Sequence, residues 1–184
     1  MLFQKKKPND VLPVTIDLND DHFVLNGKQF ILPVRISELT EILGEPRIVS
    51  DRNKDVKAYK ERICEKYDLS PEKYALTDYY WDDLGLLAST FEKKTVHSLI
   101  VKLGDSKKYP MEMPKYDFSG TLTVRGKNWQ DIVEESAVTS GTFKLKLGTL
   151  HAYVVRYGKK VKDTKQFQLS LNDDQKLEFF DVSE

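Results

Sequence analysis

Three pairs of adjacent carboxylates, three histidines and a single cysteine are the residues of this chain best suited to chemistry. The pairs are Asp20-Asp21, Asp82-Asp83 and Asp173-Asp174. Two carboxylates can divide acid and base work across a cleft when their surroundings split their pKa values. Adjacent residues lack that separation by themselves, and aspartate favours turns because its side chain bonds nearby backbone amides. All three pairs therefore read as turns. A calcium loop needs alternating oxygen ligands over about a dozen residues, and no pair continues that way. His22, His97 and His151 stand at no metal-ligand spacing from one another or from Cys64. Glycine-rich phosphate cradles and a serine elbow are also missing, so no metal and no cofactor are expected. The arrangement left with catalytic potential is hydrolase-like: Asp82 or Asp83 with His97, if the fold joins them.

The aromatic run Tyr79-Tyr80-Trp81 offers a different chemistry. On a strand, Tyr79 and Trp81 share one face, while Asp78, Tyr80 and Asp82 share the other. Core on one side and solvent on the other is the plain reading. The functional reading makes Asp78, Tyr80, Asp82 and Asp83 a protein-binding face. Tyrosine buries a large ring at low entropy cost, and the carboxylates would steer a basic partner toward it.

The elements that must position these residues follow from periodicity and turn chemistry. Val14–Leu18 alternates at period two, as a half-buried strand does. Phe23–Leu32 is a hairpin about Asn26-Gly27. Leu39, Ile42 and Leu43 give a helix its apolar face, with Ser37 as the expected N-cap and Gly44 at the end. Arg47–Val49 starts a strand. Val56, Tyr59, Ile63, Cys64 and Tyr67 predict a second helix over 54–67. Ala75–Trp81, Leu86–Phe91 and Val96–Leu103 form a meander. Phe118–Val124 restarts the strands, Asn128 caps a short helix bearing Trp129, Ile132 and Val133, and Phe143–Leu147, Leu150–Tyr157 and Gln166–Leu171 follow. Leu177–Val182 closes the chain.

The chain has 184 residues, 40% hydrophobic and 32% charged, enough for one domain or two very small ones. Residues 1–12 read as an arm, 13–104 as a helix-plus-meander half, 105–116 as a connector and 117–184 as a second β-rich half. The halves can equally form one continuous domain. Asn26-Gly27-Lys28 and Arg125-Gly126-Lys127 hint at a duplicated β-β-α-β-β-β unit. Lysine plus arginine equal aspartate plus glutamate at 29 each, so no overall field draws the chain to nucleic acid or anionic lipid. No apolar run nears the roughly 18 residues of a membrane span. The basic cluster at Lys5-Lys6-Lys7 has no apolar stretch after it, unlike a secretory signal. One cysteine forms no internal disulfide, which suits a reducing compartment. The expected location is cytoplasmic.

Four segments carry a resemblance: Leu39–Pro46 (LTEILGEP), Tyr79–Gly85 (YYWDDLG), the apolar strand Val96–Leu103, and Phe118–Gly126 (FSGTLTVRG). Over roughly residues 23–126 they resemble an uncharacterised bacterial protein family with LG-x-P, WD-x-LG and F-x-G-x-L-x-V-x-G motifs. That resemblance implies no activity and no site residue. The helix-Gly-x-Pro followed by a meander is also similar to the β-lactamase-inhibitor-protein-like fold, which implies architecture alone. The fold expected is α+β: antiparallel sheets of hairpins and meanders, each packed by a short helix, in two similar halves. The function expected is a non-catalytic bacterial protein-binding module of immunity or inhibitor type, with an unknown protein partner, no nucleic acid and no membrane. A hydrolase and a self-assembling structural domain are the rivals.

Overall fold

The computed structural model describes residues 13–50, 61, 64–65, 68–104 and 112–170. Over these residues the protein is α+β, with mostly antiparallel sheets and two short helices. The arm at 1–12, most of the connector and the closing strand at 177–182 lie outside the described residues, as does Asp173-Asp174.

Alternating apolar side chains build the smaller sheet. β1 (Thr15–Leu18) pairs antiparallel with β2 (Phe23–Leu25), which turns into β3 (Lys28–Phe30). The turn is Asn26-Gly27, at φ 49° and 82°, the double positive-φ geometry that suits a right-twisted hairpin. On its other side β1 runs parallel to β9 (Thr121–Val124), with Ile16 opposite Leu122. β9 turns through Arg125-Gly126, at φ 51° and 73°, into β10 (Lys127–Asn128).

Helix α1 (Ile36–Leu43) follows directly on the two-residue strand β4 (Val34–Arg35). Ser37 is not its N-cap: the helix starts two residues earlier than expected, and Arg35 holds the cap position without a side-chain bond. The reason is tertiary. β4 is already paired with β8 (Thr95–Lys102), and the first helical amide, Ile36 N–H, donates to Lys94 O at 2.8 Å. No side-chain cap is needed for a donor met that way. Gly44 ends the helix at φ 82°, its N–H donating to Thr40 O at 2.9 Å. Leu39 is fully buried, and Ile36, Ile42 and Leu43 pack against the core. Of the helix read at 54–67, Glu61, Cys64 and Glu65 are helical; Val56, Tyr59, Ile63 and Tyr67 lie outside the described residues. Ser70-Pro71 opens a turn, closed by Lys73 N–H on Ser70 O at 2.8 Å.

The larger sheet has β5 (Arg47–Ser50), β6 (Thr77–Trp81), β7 (Leu86–Thr90) and β8 in sequence, each antiparallel to the next. It continues beyond β8 into β13 (Thr164–Ser170), β12 (Leu150–Arg156) and β11 (Gly141–Leu147). Before β11 comes helix α2 (Trp129–Glu135), capped as expected by Asn128, whose Oδ1 accepts from Gln130 N–H at 2.9 Å. Its far end is held by Arg156, whose Nη1 donates to Val133 O at 2.8 Å. One apolar core joins both sheets: Ile16, Phe23 and Val124 from the smaller, Trp81, Leu99, Val154 and Phe167 from the larger. Segments 13–104 and 117–170 therefore share both sheets and one core. The second face of the larger sheet is buried too, with Tyr80, Leu87 and Ile100 packed against Val49 and Met113.

Candidate functional site

Strand β6 leaves the sheet at Trp81 and winds into a single 3-10 turn, Asp82–Leu84. Gly85 closes the turn in the left-handed region, at φ 68° and ψ 30°. Only glycine fits there: a Cβ on Gly85 would sit 2.3 Å from Phe118 N. Trp81 Nε1 donates to Gly44 O at 2.7 Å, which anchors the end of α1 beside this turn. A cleft of about 310 Å³ opens between them, lined by Leu43, Glu45, Arg47, Tyr80, Asp82 and Asp83 among others.

Arg47, at the start of β5, organises the cleft. Its Nε and Nη2 grip the two oxygens of Asp82 at 2.6 and 3.0 Å, a fork-on-carboxylate pair. Nη2 also reaches Glu112 Oε1 at 2.9 Å. The guanidinium lies 4.2 Å from the centre of the Tyr80 ring, within cation–π range. Asp82 accepts a further bond from Lys115 N–H at 2.9 Å, and its carbonyl one from Tyr116 N–H at 3.2 Å. The Arg47 bond holds the Asp82 carboxyl below its ordinary pKa against the opposing effect of burial, and Arg47 is raised in return.

The expected binding residues are thus in one neighbourhood, with unequal exposure. Tyr79 and Trp81 do face the core, and Asp78 and Tyr80 do face away from it. That second face is not open to solvent, however: Asp78 and Tyr80 are 2% and 1% exposed. Asp78 accepts from Ser89 Oγ at 2.7 Å, and Tyr80 OH lies 3.3 Å from Glu112 O. Asp82 is half-buried and Asp83 exposed at the lip. Period-two reasoning found the face but not what covers it.

His97 does not join them. It sits where the β7–β8 register slips between Ser89 and Thr90, its ring 5.2 Å from Phe91. Burial lowers its pKa, with Glu92 acting the other way. The Asp82–Gly85 turn meets the opposite end of β8, where Lys102 N–H donates to Gly85 O. Five strand residues from His97 to Lys102 span roughly 16 Å at about 3.3 Å each. Asp20 and Asp21 serve their turn: Asp20 accepts from Arg125 Nε at 2.5 Å, and Asp21 lies 2.6 Å from His22 Nδ1. Among the described residues no group of three His, Cys, Asp or Glu side chains could hold a metal ion, and no helix is long and apolar enough to cross a membrane.

Sequence reasoning missed Arg47, Ile48, Glu112 and Tyr116. Ile48 and Tyr116 are large apolar side chains left 57% and 51% exposed, and both stand next to the Arg47–Asp82 pair along the chain or through its hydrogen bonds. Nothing in Arg47-Ile48-Val49 says which strand it pairs with, and Tyr116 sits in a segment without periodicity.

Fold and cleft define an α+β protein with an arginine clasped by two carboxylates beside strand β5. The chain belongs to a family described as a domain of unknown function (DUF7738), which matches residues 15–138. Every residue of the cleft lies inside that match. No curated protein and no solved structure matches the chain.

Proposed function

We propose that the chain is a non-catalytic bacterial protein-binding module, immunity- or inhibitor-type in character and cytoplasmic, that docks its partner over β5 and the Arg47–Asp82 clasp. The observation that carries this reading is a pair of exposed apolar side chains at this sheet margin: Tyr116, whose N–H bonds the Asp82 carbonyl beside the locked Arg47, and Ile48, on the other face of the same strand β5. Tyrosine and arginine dominate binding energy at protein interfaces, most of all when pre-positioned. Glu45, Asp82, Asp83 and Glu112 outnumber Arg47 and Lys115 here, which favours a cationic partner. Among the described residues β5 is the last strand of the larger sheet, with a row of backbone groups that an extended partner segment can use.

Photo-crosslinking in the native host tests it, with p-benzoylphenylalanine placed at 48, at 116, and at the distant exposed Tyr157. The expected result is one protein captured from 48 and 116 but not from 157. That protein, once purified, should bind Ile48→Asp at least about tenfold more weakly than wild type. Identical captures from all three positions, or none, defeat the proposal. A concentration-dependent dimer captured only by itself would favour the self-assembling rival.

We also infer that the molecule is a duplicated β-β-α-β-β-β unit with one helix packed on each copy. Support comes from the twin positive-φ turns, from Leu39 and Val133, each the buried residue of its helix, and from β8 and β13, the last strands of each unit, pairing antiparallel. An experimental structure in which the two units do not superpose strand for strand would count against it.

A further inference from the structure

On the side away from β5 the larger sheet ends in β11. Among the described residues β11 pairs with β12 alone, so its other side presents a row of backbone groups over the seven residues Gly141–Leu147. The two faces of the strand differ. Phe143, Leu145 and Leu147 lie on the core side, across from Val154, Ala152 and Leu150. Lys144 and Lys146 lie on the opposite face, across from Tyr153 and His151. On the core side a hollow of about 210 Å³ opens between β11, the β9–β10 turn and α2, with Val124, Ile132, Leu145 and Leu147 in its wall. We propose that β11 is a docking edge for an extended segment of a partner protein. The segment adds as a further strand, one apolar side chain seated in the hollow and an acidic residue on each side of it beside Lys144 and Lys146.

Strand addition gains main-chain hydrogen bonds from any sequence, and the alternate side chains make the choice. Successive residues of a strand point to opposite faces. A residue aimed at the hollow therefore has both its chain neighbours on the lysine face. The hollow holds roughly seven water-sized groups at about 30 Å³ each, room for one large apolar side chain. On the other face the field is positive. Lys146 is exposed, and the pKa of His151 is lowered by burial first and by Lys144 and Lys146 after it. A second copy of the chain is a poor occupant. Pairing β11 with itself in antiparallel registers centred on Lys144, Leu145 or Lys146 sets lysine opposite lysine, which destabilises a sheet. The fitting pattern is acidic–apolar–acidic. This is opposite in charge to the partner favoured at β5, so the two ends of one sheet select different segments.

The test is an amide NMR titration of the full chain with the blocked peptide Thr-Val-Glu-Leu-Glu-Val-Thr. Saturable shifts should appear along Gly141–Leu147 and at Val124 and Ile132. Two control peptides, one with lysine for both glutamates and one with serine for the leucine, should each bind at least about tenfold more weakly. Lys146→Glu changes an exposed side chain. It should weaken the acidic peptide at least about threefold and strengthen the lysine peptide, while melting at the wild-type temperature. Four results would each overturn the assignment: no saturable shift on β11, shifts confined to β5, equal affinity for the lysine peptide, or unchanged affinities in the variant. Shifts of β11 that follow protein concentration without peptide would overturn it too, in favour of a second copy. The readout needs no natural partner and separates β11 from β5, so this edge and the docking surface at Arg47 stand or fall independently.

Discussion

At the scale of the residue, Asp82 shows how an ion pair makes stability depend on pH. Its carboxyl is held below the ordinary value chiefly by the Arg47 hydrogen bond. A carboxyl with a depressed folded pKa releases its proton more easily in the folded chain than in the unfolded one. Its contribution is therefore complete above the unfolded value of about 3.9 and disappears as pH falls through the lower folded value. Asp17 behaves alike: burial raises it, but hydrogen bonds from Thr123, Gly126 and Asn19, with His22 nearby, bring the result below the ordinary value. Asp82→Asn should cost about 0.5–1 kcal/mol at pH 7, since Arg47 is well exposed and solvent screens the pair. Urea melts at pH 7 and pH 3 check this. The gap between variant and wild type must narrow at pH 3; an equal gap at both would mean that the charge of Asp82 is irrelevant. The role of Asp82 was legible only in part. Alternation put Tyr80 and Asp82 together, but the partner that organises both, Arg47, comes from strand β5, 35 residues back along the chain. Local patterning has no access to such a pairing.

At the scale of the element, most of the strands and both described helices were legible, because period two, period 3.6 and turn chemistry agree within each segment. The two helix starts separate what was readable from what was not. Ser37 and Asn128 look like equal caps in sequence, yet only Asn128 accepts a backbone N–H. A cap depends on where the chain enters the helix, and strand β4 sets that entry for α1 through its pairing with β8. Asn128→Ala should therefore cost about 1 kcal/mol, and Ser37→Ala no more than about 0.5 kcal/mol in either direction, by chemical denaturation. Equal losses would show that both side chains cap. The turn glycines divide in the same manner. Gly126 has positive φ, but a methyl group added there would meet nothing within 4 Å, so Gly126→Ala incurs only left-handed strain, about 1–2 kcal/mol. Gly85→Ala adds a collision with the Asp117–Phe118 backbone, and overpacking of that kind costs a further ~1–3 kcal/mol. Thermal melts should rank Gly85→Ala clearly below Gly126→Ala; the reverse order would mean that the Phe118 backbone yields freely.

At the scale of the whole molecule, the order of strands was the illegible part. Segments 13–104 and 117–184 read as halves, or as one continuous domain, because each carries a hairpin, helix and meander. Over the described residues their strands are interleaved: β9 lies parallel to β1, and β13 lies along β8 from Ser98 to Lys102. Both contacts join residues far apart in the chain, beyond the reach of any local signal. The family match ends at 138, inside this interleaving. A chain of residues 15–138 would leave the β8 edge facing β13 without its partner, baring ladder groups that are costly to leave unpaired. It would also remove Phe143, Leu147, Leu150, Val154, Phe167 and Leu169 from the shared core. Each such side chain contributes roughly 1.5–3 kcal/mol when buried, and a whole domain retains only about 5–15 kcal/mol. The shortened chain should therefore fail to fold, giving a collapsed amide NMR spectrum or aggregation, while the full chain melts in one cooperative transition. Dispersed amide signals from 15–138, or two separate transitions in the full chain, would show that the sheets cohere without their shared strands.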